Sequence, residues 1–208
     1  FSLIARGVSF EFRKKNPAHI SFWNTVFWVG STSASFAQGV CLGGVLQGIA
    51  IGGNAYNSYV FSGNTWDFLT PFTVLTGLTF VFLHALLGGT WLHMKSPADL
   101  QPLFKGLSRR TAVVLPFFLS LTWGYMLFLH PDSLSGPFTI PVFILVWGFS
   151  ALILRFLKTG SNKAFYFSGF LTIGLAGILH MAFWPFILPF SLTYPQAAAH
   201  PRSLELIL

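Results

Sequence analysis

The sequence predicts an all-α, polytopic transmembrane helix bundle, and three observations predict it. The chain of 208 residues is 53% hydrophobic and only 8% charged, which leaves too little polar surface to coat a water-soluble domain. Stretches such as 111–129 and 138–157 run with few or no charges for about 20 residues, the length of a bilayer-spanning helix. The long apolar runs do not alternate with polar residues, as the strands of a membrane barrel would.

Taken in order, the elements are a helix tail over 1–12, crossings over 20–50, 67–94, 108–130, 138–158 and 163–190, and a last helix over 203–208. That gives one transmembrane domain spanning 1–208, with five complete crossings and partial helices at both ends. The chain opens without an initiator Met, and truncation at both ends is expected. Lys and Arg orient the bundle, because cytoplasmic loops are enriched in them. Arg6, Arg13, Lys14 and Lys15 lie before the first crossing. Lys95, Lys105, Arg109 and Arg110 follow the second, and Arg155, Lys158 and Lys163 follow the fourth. The connectors between carry none until Arg202, so eleven of the twelve basic residues fall on one side, which is read as cytoplasmic. Ser96-Pro97-Ala98-Asp99 has the form of a helix start, with Ser as cap and Pro at the first helical position.

The crossing over 20–50 spans roughly 45 Å at about 1.5 Å per residue, more than the hydrocarbon core, so it tilts or protrudes. Within it Ser31, Ser35, Gly39 and Gly43 recur every four residues, a small-residue stripe that lets another helix approach closely. That stripe suits packing within the chain or against another subunit. Gln38 and Gln47 on the same helix are expected to bond across to a neighbour. Pro116, Pro141 and Pro185 are expected to kink helices. Trp66, Trp91 and Tyr166 are expected as interfacial anchors. Cys41, the single cysteine, excludes an intrachain disulfide and is expected to pack in the core.

The titratable residues point to no reaction. Glu11, Asp67, Asp99, Asp132 and Glu205 all fall near span ends; Asp67 suits a helix cap, and Glu11 suits ion pairing with Arg6 and Arg13. His84 and His180 are the histidines well inside spans and merit weighing as haem ligands. His84 lies about three residues to the cytoplasmic side of its span's middle and His180 about three to the other side. Their depths then differ by roughly 10 Å, which disfavours one shared iron. His19, His93, His130 and His200 sit at interfaces, and no motif with metal-ligand spacing accompanies them. No phosphate-cradling glycine loop or nucleophile elbow is present. The net charge of +7 flanks hydrophobic spans instead of gathering on a soluble face, which argues against nucleic-acid binding. The residues thus give a fold and a topology but no reaction, and ligation of a haem by His84 or His180 singly stays open.

A resemblance goes further. Arg6-Gly7-Val8-Ser9-Phe10-Glu11-Phe12-Arg13 resembles a hallmark of subunit II of the cytochrome bd quinol oxidases of bacterial respiratory chains. The similarity continues in order through Gly30-Ser31, Gln38-Gly39-Val40, Leu42-Gly43, Leu69-Thr70-Pro71-Phe72, Gly77-Leu78, Ala85 to Leu92 with Lys95, Trp184-Pro185 and Ala197-Ala198-Ala199. It implies a subunit of a heterodimeric inner-membrane enzyme that oxidises quinol, reduces oxygen to water and generates a proton-motive force. Haem b and haem d are then expected in subunit I, with quinone and lipid as further ligands of the complex. The present chain would hold no haem, would not be catalytic alone, and would pack against subunit I through the small stripe and Gln38. The family's first two helices, with their acidic motifs, are expected upstream of Phe1. His84 stands where a bulky residue is more usual, and Gln196 where an acid is. The competing readings are a secondary transporter, for which no internal repeat is evident, and a b-type membrane cytochrome using His84 or His180.

Overall fold

The computed structural model describes residues 1–15, 17–49, 51–53, 59–131, 138–189 and 192–197. Its long helices are α1 (Ser2–Lys15), α2 (Ile20–Gln47), α3 (Pro71–Lys95), α4 (Gln101–Leu129), α5 (Thr139–Lys158) and α6 (Lys163–Phe183), followed by a short α7 (Tyr194–Ala197). Single 3-10 turns at Pro17–His19 and Thr65–Phe68 precede α2 and α3. The helices run up and down, each packing on the next in sequence, and α3 also packs on α6. Lys14, Lys95, Lys105, Lys158 and Lys163 therefore share one end of the bundle. There Lys105 Nζ donates to the Lys158 carbonyl at 3.4 Å, tying α4 to the end of α5.

Among the described residues four helices, α3 to α6, are long and apolar enough to cross a membrane. They are apolar outside as well as inside. Phe72, Leu86, Leu115, Met126, Ile153 and Leu171 are fully buried, while Trp28, Phe128, Ile144 and Ile173 stand at least 66% exposed on the outer surface. Water would penalise that outer surface, whereas lipid chains or a protein partner would not.

Close approach is set by glycines. A Cβ added to Gly39 would meet the Thr76 carbonyl at 2.5 Å and the Gly77 Cα at 2.7 Å, and one on Gly43 would fall on Thr76 Oγ1. The small stripe is therefore occupied at these two positions by α3 of the same chain. Gly30 similarly admits Ser2 of α1, whose hydroxyl accepts from Ser33 Oγ at 2.9 Å.

Several sequence expectations need correction. The crossing expected over 163–190 ends at Phe183, and Phe186–Leu188 forms β3, paired antiparallel with β4 (Leu192–Thr193). The cause is Pro185, which disfavours helix in the residue before it, so it ends this helix and does not kink it. Pro116 does lie inside α4, whereas Pro141 occupies the first turn of α5, where its missing N–H costs nothing. Helix α4 starts at Gln101 and not near 108, because Pro102 suits its first turn; Ser96 closes α3 and does not cap α4. Helix α2 stops at Gln47, beyond which Ile51–Gly53 (β1) pairs antiparallel with Tyr59–Phe61 (β2). The crossing expected to start at 67 begins at Pro71, preceded by the 3-10 turn, in which Asp67 Oδ2 accepts from Asn64 N at 2.6 Å. Asp67 thus caps, though a different turn from the one expected. Asp132, His200, Arg202, Glu205 and the helix expected over 203–208 lie outside the described residues.

Candidate functional site

Among the described residues, half of the buried polar side chains lie on α3. Thr70, Thr73, Thr76 and Thr79 follow one another at three-residue spacing, and Thr90 and His93 continue the line towards the basic end. In hydrocarbon each hydroxyl needs a partner, and a helix supplies one in the carbonyl one turn back. Thr79 Oγ1 donates to Leu75 O at 2.8 Å, Thr76 Oγ1 to Thr73 O at 2.8 Å and Thr90 Oγ1 to Leu86 O at 2.8 Å.

The same hydroxyls reach across to other helices. Thr70 Oγ1 donates to Gln47 Oε1 of α2 at 2.7 Å, and Thr76 Oγ1 approaches the Gly39 carbonyl at 2.9 Å. Thr79 pairs with Thr122 of α4 at 2.9 Å, and Thr90 with Ser168 of α6 at 3.0 Å. His93, which sequence reading placed at an interface, is buried between helices, with Nδ1 3.3 Å from the Gln101 carbonyl. The repeated threonine spacing is the sequence signal for this seam.

Between the Thr79–Thr122 pair and α6 lies a cavity of about 190 Å3, lined by Leu46, Leu83, His84, Trp123 and other mostly apolar side chains. Ligand pockets commonly span about 300–1,000 Å3, so this one suits a small apolar group.

His84 and His180 do not supply two axial ligands to one haem iron. His84 lines the cavity, with Nδ1 2.9 Å from the Phe80 carbonyl; His180 sits against Trp184 and Tyr194. His84 is one residue from the middle of α3 and His180 seven from the middle of α6, in opposite senses. At about 1.5 Å per residue their depths differ by roughly 12 Å. The offset falls mostly on His180, because α6 is shorter than expected. Among the described residues no three His, Cys, Asp or Glu side chains converge to hold a metal.

The remaining sequence candidates are dispersed. Arg6, Glu11 and Arg13 are all exposed on α1, and Arg6 lies over the Phe27 ring at 5.5 Å. Among the described residues Glu11 forms no ion pair. Its spacings of five and two residues from Arg6 and Arg13 put them on different helix faces, against the pairing expected. Ser31 and Ser35 are half-buried and donate to the carbonyls of Phe27 and Ser31. Gln38 is exposed, whereas Gln47 forms the interhelical bond expected of it. Cys41 is exposed, not packed in the core, because it lies on the face of α2 turned away from Gly39 and Gly43. Trp91 packs on Phe165 with Lys95 Nζ 5.5 Å above its ring; it, Trp66 and Tyr166 are exposed, as anchors require.

Near the other end, His130 closes α4. Burial holds its imidazole below the ordinary value of 6.5, with a hydrogen bond to the Gln47 backbone acting the other way. The folded chain thus prefers the neutral ring. Its contribution to stability is complete above 6.5 and declines as the unfolded chain takes up the proton first at lower pH. Thermal melts are expected to fall as pH drops through this range. A His130→Asn variant should melt with a flatter pH dependence, and an unchanged slope would contradict this origin.

Fold and seam together define a polytopic α-helical membrane protein whose buried polar groups join helix to helix. The particular family follows from sequence comparison. The model of the cytochrome bd terminal oxidase subunit II family matches residues 1–208, and the chain belongs to that family. A probable cytochrome oxidase subunit 2 of Haemophilus influenzae is 25% identical over 227 residues, covering 94% of this chain and 60% of the relative. The cytochrome bd-I ubiquinol oxidase subunit 2 of Escherichia coli is 26% identical over 223 residues, covering 91% and 59%. The cytochrome bd ubiquinol oxidase subunit 2 of Bacillus subtilis is 24% identical over 182 residues, covering 84% and 52%. The chain thus spans between half and three fifths of the length of these relatives.

Proposed function

We propose that this chain serves as the non-haem subunit II of a bacterial bd-type terminal oxidase, in which quinol oxidation is coupled to reduction of oxygen to water. The observation that carries the reading is the family match along all of residues 1–208, joined to relatives named as ubiquinol oxidase subunits. The complex generates a proton-motive force across the bacterial inner membrane, and haem b and haem d reside in subunit I. The role of this chain is to fold beside that partner and support it.

In this reading the chain makes five crossings, α2 being the fifth. Helix α2 has 28 residues and no Asp, Glu, Lys or Arg, and it lies antiparallel between α1 and α3. Its nine Ser, Thr, Asn and Gln residues lower its hydropathy, yet many of them bond within the bundle. The basic end faces the cytoplasm. Exposed Gln38, Arg6, Glu11 and Arg13, with the apolar face of α1, remain available to the partner, unlike Gly39 and Gly43.

Affinity purification of the tagged native protein from its own membranes is expected to bring down a haem-bearing partner, visible as b- and d-type bands in the optical spectrum. Haem that stays with this chain after the partner is removed would favour the b-type cytochrome reading, and a haem-free preparation would favour a transporter.

A further inference from the structure

Two fully enclosed polar atoms where α3 meets α4 have no hydrogen-bond partner among the described residues. His93 is 6% exposed and Ser108 0%, and neither His93 Nε2 nor Ser108 Oγ makes a hydrogen bond. Buried polar atoms in a folded protein are nearly always satisfied, by water when the protein offers nothing. Ser108 does not take the usual exit of bonding to the carbonyl one turn back, although Thr111 beside it does, donating to Leu107 O at 3.1 Å.

The helices that carry the two side chains bring them towards each other. A Cβ on Gly89 would stand 2.6 Å from Ser108 Oγ, so Ser108 lies against the bare backbone of Gly89. His93 is one turn further along the same face, and a helical side chain leans back towards its own N-terminus, here towards Gly89. The next hydroxyls inward are the Thr90–Ser168 pair. On the other side the turn at Ser96 separates the ring from the basic end, where Gln101 Nε2 donates to the Ser96 carbonyl at 3.1 Å.

We propose that His93 and Ser108 form a buried hydration site, in which a water molecule between α3 and α4 donates to His93 Nε2 and bonds Ser108 Oγ. The tautomer follows from the Gln101 carbonyl, which can only accept: Nδ1 carries the proton, leaving Nε2 a lone-pair acceptor. Water fits this set of groups better than an ion. Lys95 lies over Trp91 and Lys105 on the Lys158 carbonyl, while Asp99 in the connector and Arg109 and Arg110 beside Ser108 are exposed to the surroundings of the bundle. A water donates to the ring and meets the hydroxyl in either sense.

Nitrogen-15 NMR of histidine-labelled protein in its assembled complex tests this. The expected result is a protonated Nδ1, an unprotonated Nε2 shifted by hydrogen bonding, and a water cross-peak to the His93 ring. In Ser108→Ala the water loses one of its two partners, so its cross-peak to the His93 ring should weaken or vanish. A cross-peak unchanged by that substitution would take Ser108 out of the site and overturn the proposal, as would an Nε2–H tautomer or a dry ring in the wild type. A density map of the wild-type complex that resolves waters reads the same point without any variant. A peak about 3 Å from Nε2 supports the site, and its absence sinks it. The site belongs to this chain alone, so neither outcome bears on the oxidase reading.

Discussion

Replacing Gly43 by Leu is expected to separate α2 from α3 and to lower the yield of folded protein severely. The reason is geometric. Even the first carbon of a side chain there would land on Thr76 Oγ1, and the Thr73 Cα stands only 3.0 Å from the same point. Backbone cannot step aside cheaply, and Thr76 is 3% exposed with its hydroxyl between the Thr73 and Gly39 carbonyls. Overpacking of a close-packed interior costs about 3 kcal/mol when the backbone must move, and here Thr76 would lose its cross-helix contact as well. Gly88→Ala is the control, because a Cβ at Gly88 meets nothing within 4 Å and alanine is the better helix former. Thermal aggregation assays in detergent should show a large loss for Gly43→Leu and none for Gly88→Ala. Equal behaviour of the two would remove the α2–α3 contact from the account.

Truncating Leu86 to Ala is expected to cost about 2–5 kcal/mol, since an enclosed leucine leaves a void that its neighbours refill only in part. Leu86 is 0% exposed on the face of α3 that meets the rest of the bundle. Lipid chains are as apolar as leucine, so the loss is chiefly one of packing contacts. Leu121→Ala tests the converse, because Leu121 is 60% exposed and faces outward from α4. The stability of detergent-solubilised protein should fall for Leu86→Ala and stay near wild type for Leu121→Ala. A matching loss at Leu121 in the isolated chain would show that the outward face is packed.

Much of this architecture was legible in the sequence because a membrane simplifies the problem. Apolar length marks the spans, and basic connectors mark the end at which α1, α3 and α5 finish. The misplaced boundaries fall where local chemistry competes with hydropathy. Phe186 to Phe190 is as apolar as the helix before it, and only Pro185 shows that α6 has ended. Pro102 starts α4 earlier than its apolar stretch, since the first turns carry Lys105, Arg109 and Arg110.

Side-chain roles were harder to read, because they depend on which face of a helix meets which neighbour. Gly39 and Gly43 announce a close contact but do not say with what, and the structure gives the contact to α3. Cys41 and Gln38 lie on the same helix within a turn of those glycines and yet point outward. His93 sits only two residues from Lys95, at a span end where a histidine ordinarily meets water, and it is nonetheless enclosed by the hairpin that follows. The seam along α3 is written in threonines, which are common enough in membrane helices to pass unnoticed.

Quinol-dependent oxygen uptake by native membranes, measured with the gene for this subunit deleted and then restored, bears most directly on the assignment. The d-type oxidase activity is expected to disappear on deletion and to return with the intact gene. Uptake through that oxidase at the wild-type rate in the deleted strain would contradict it.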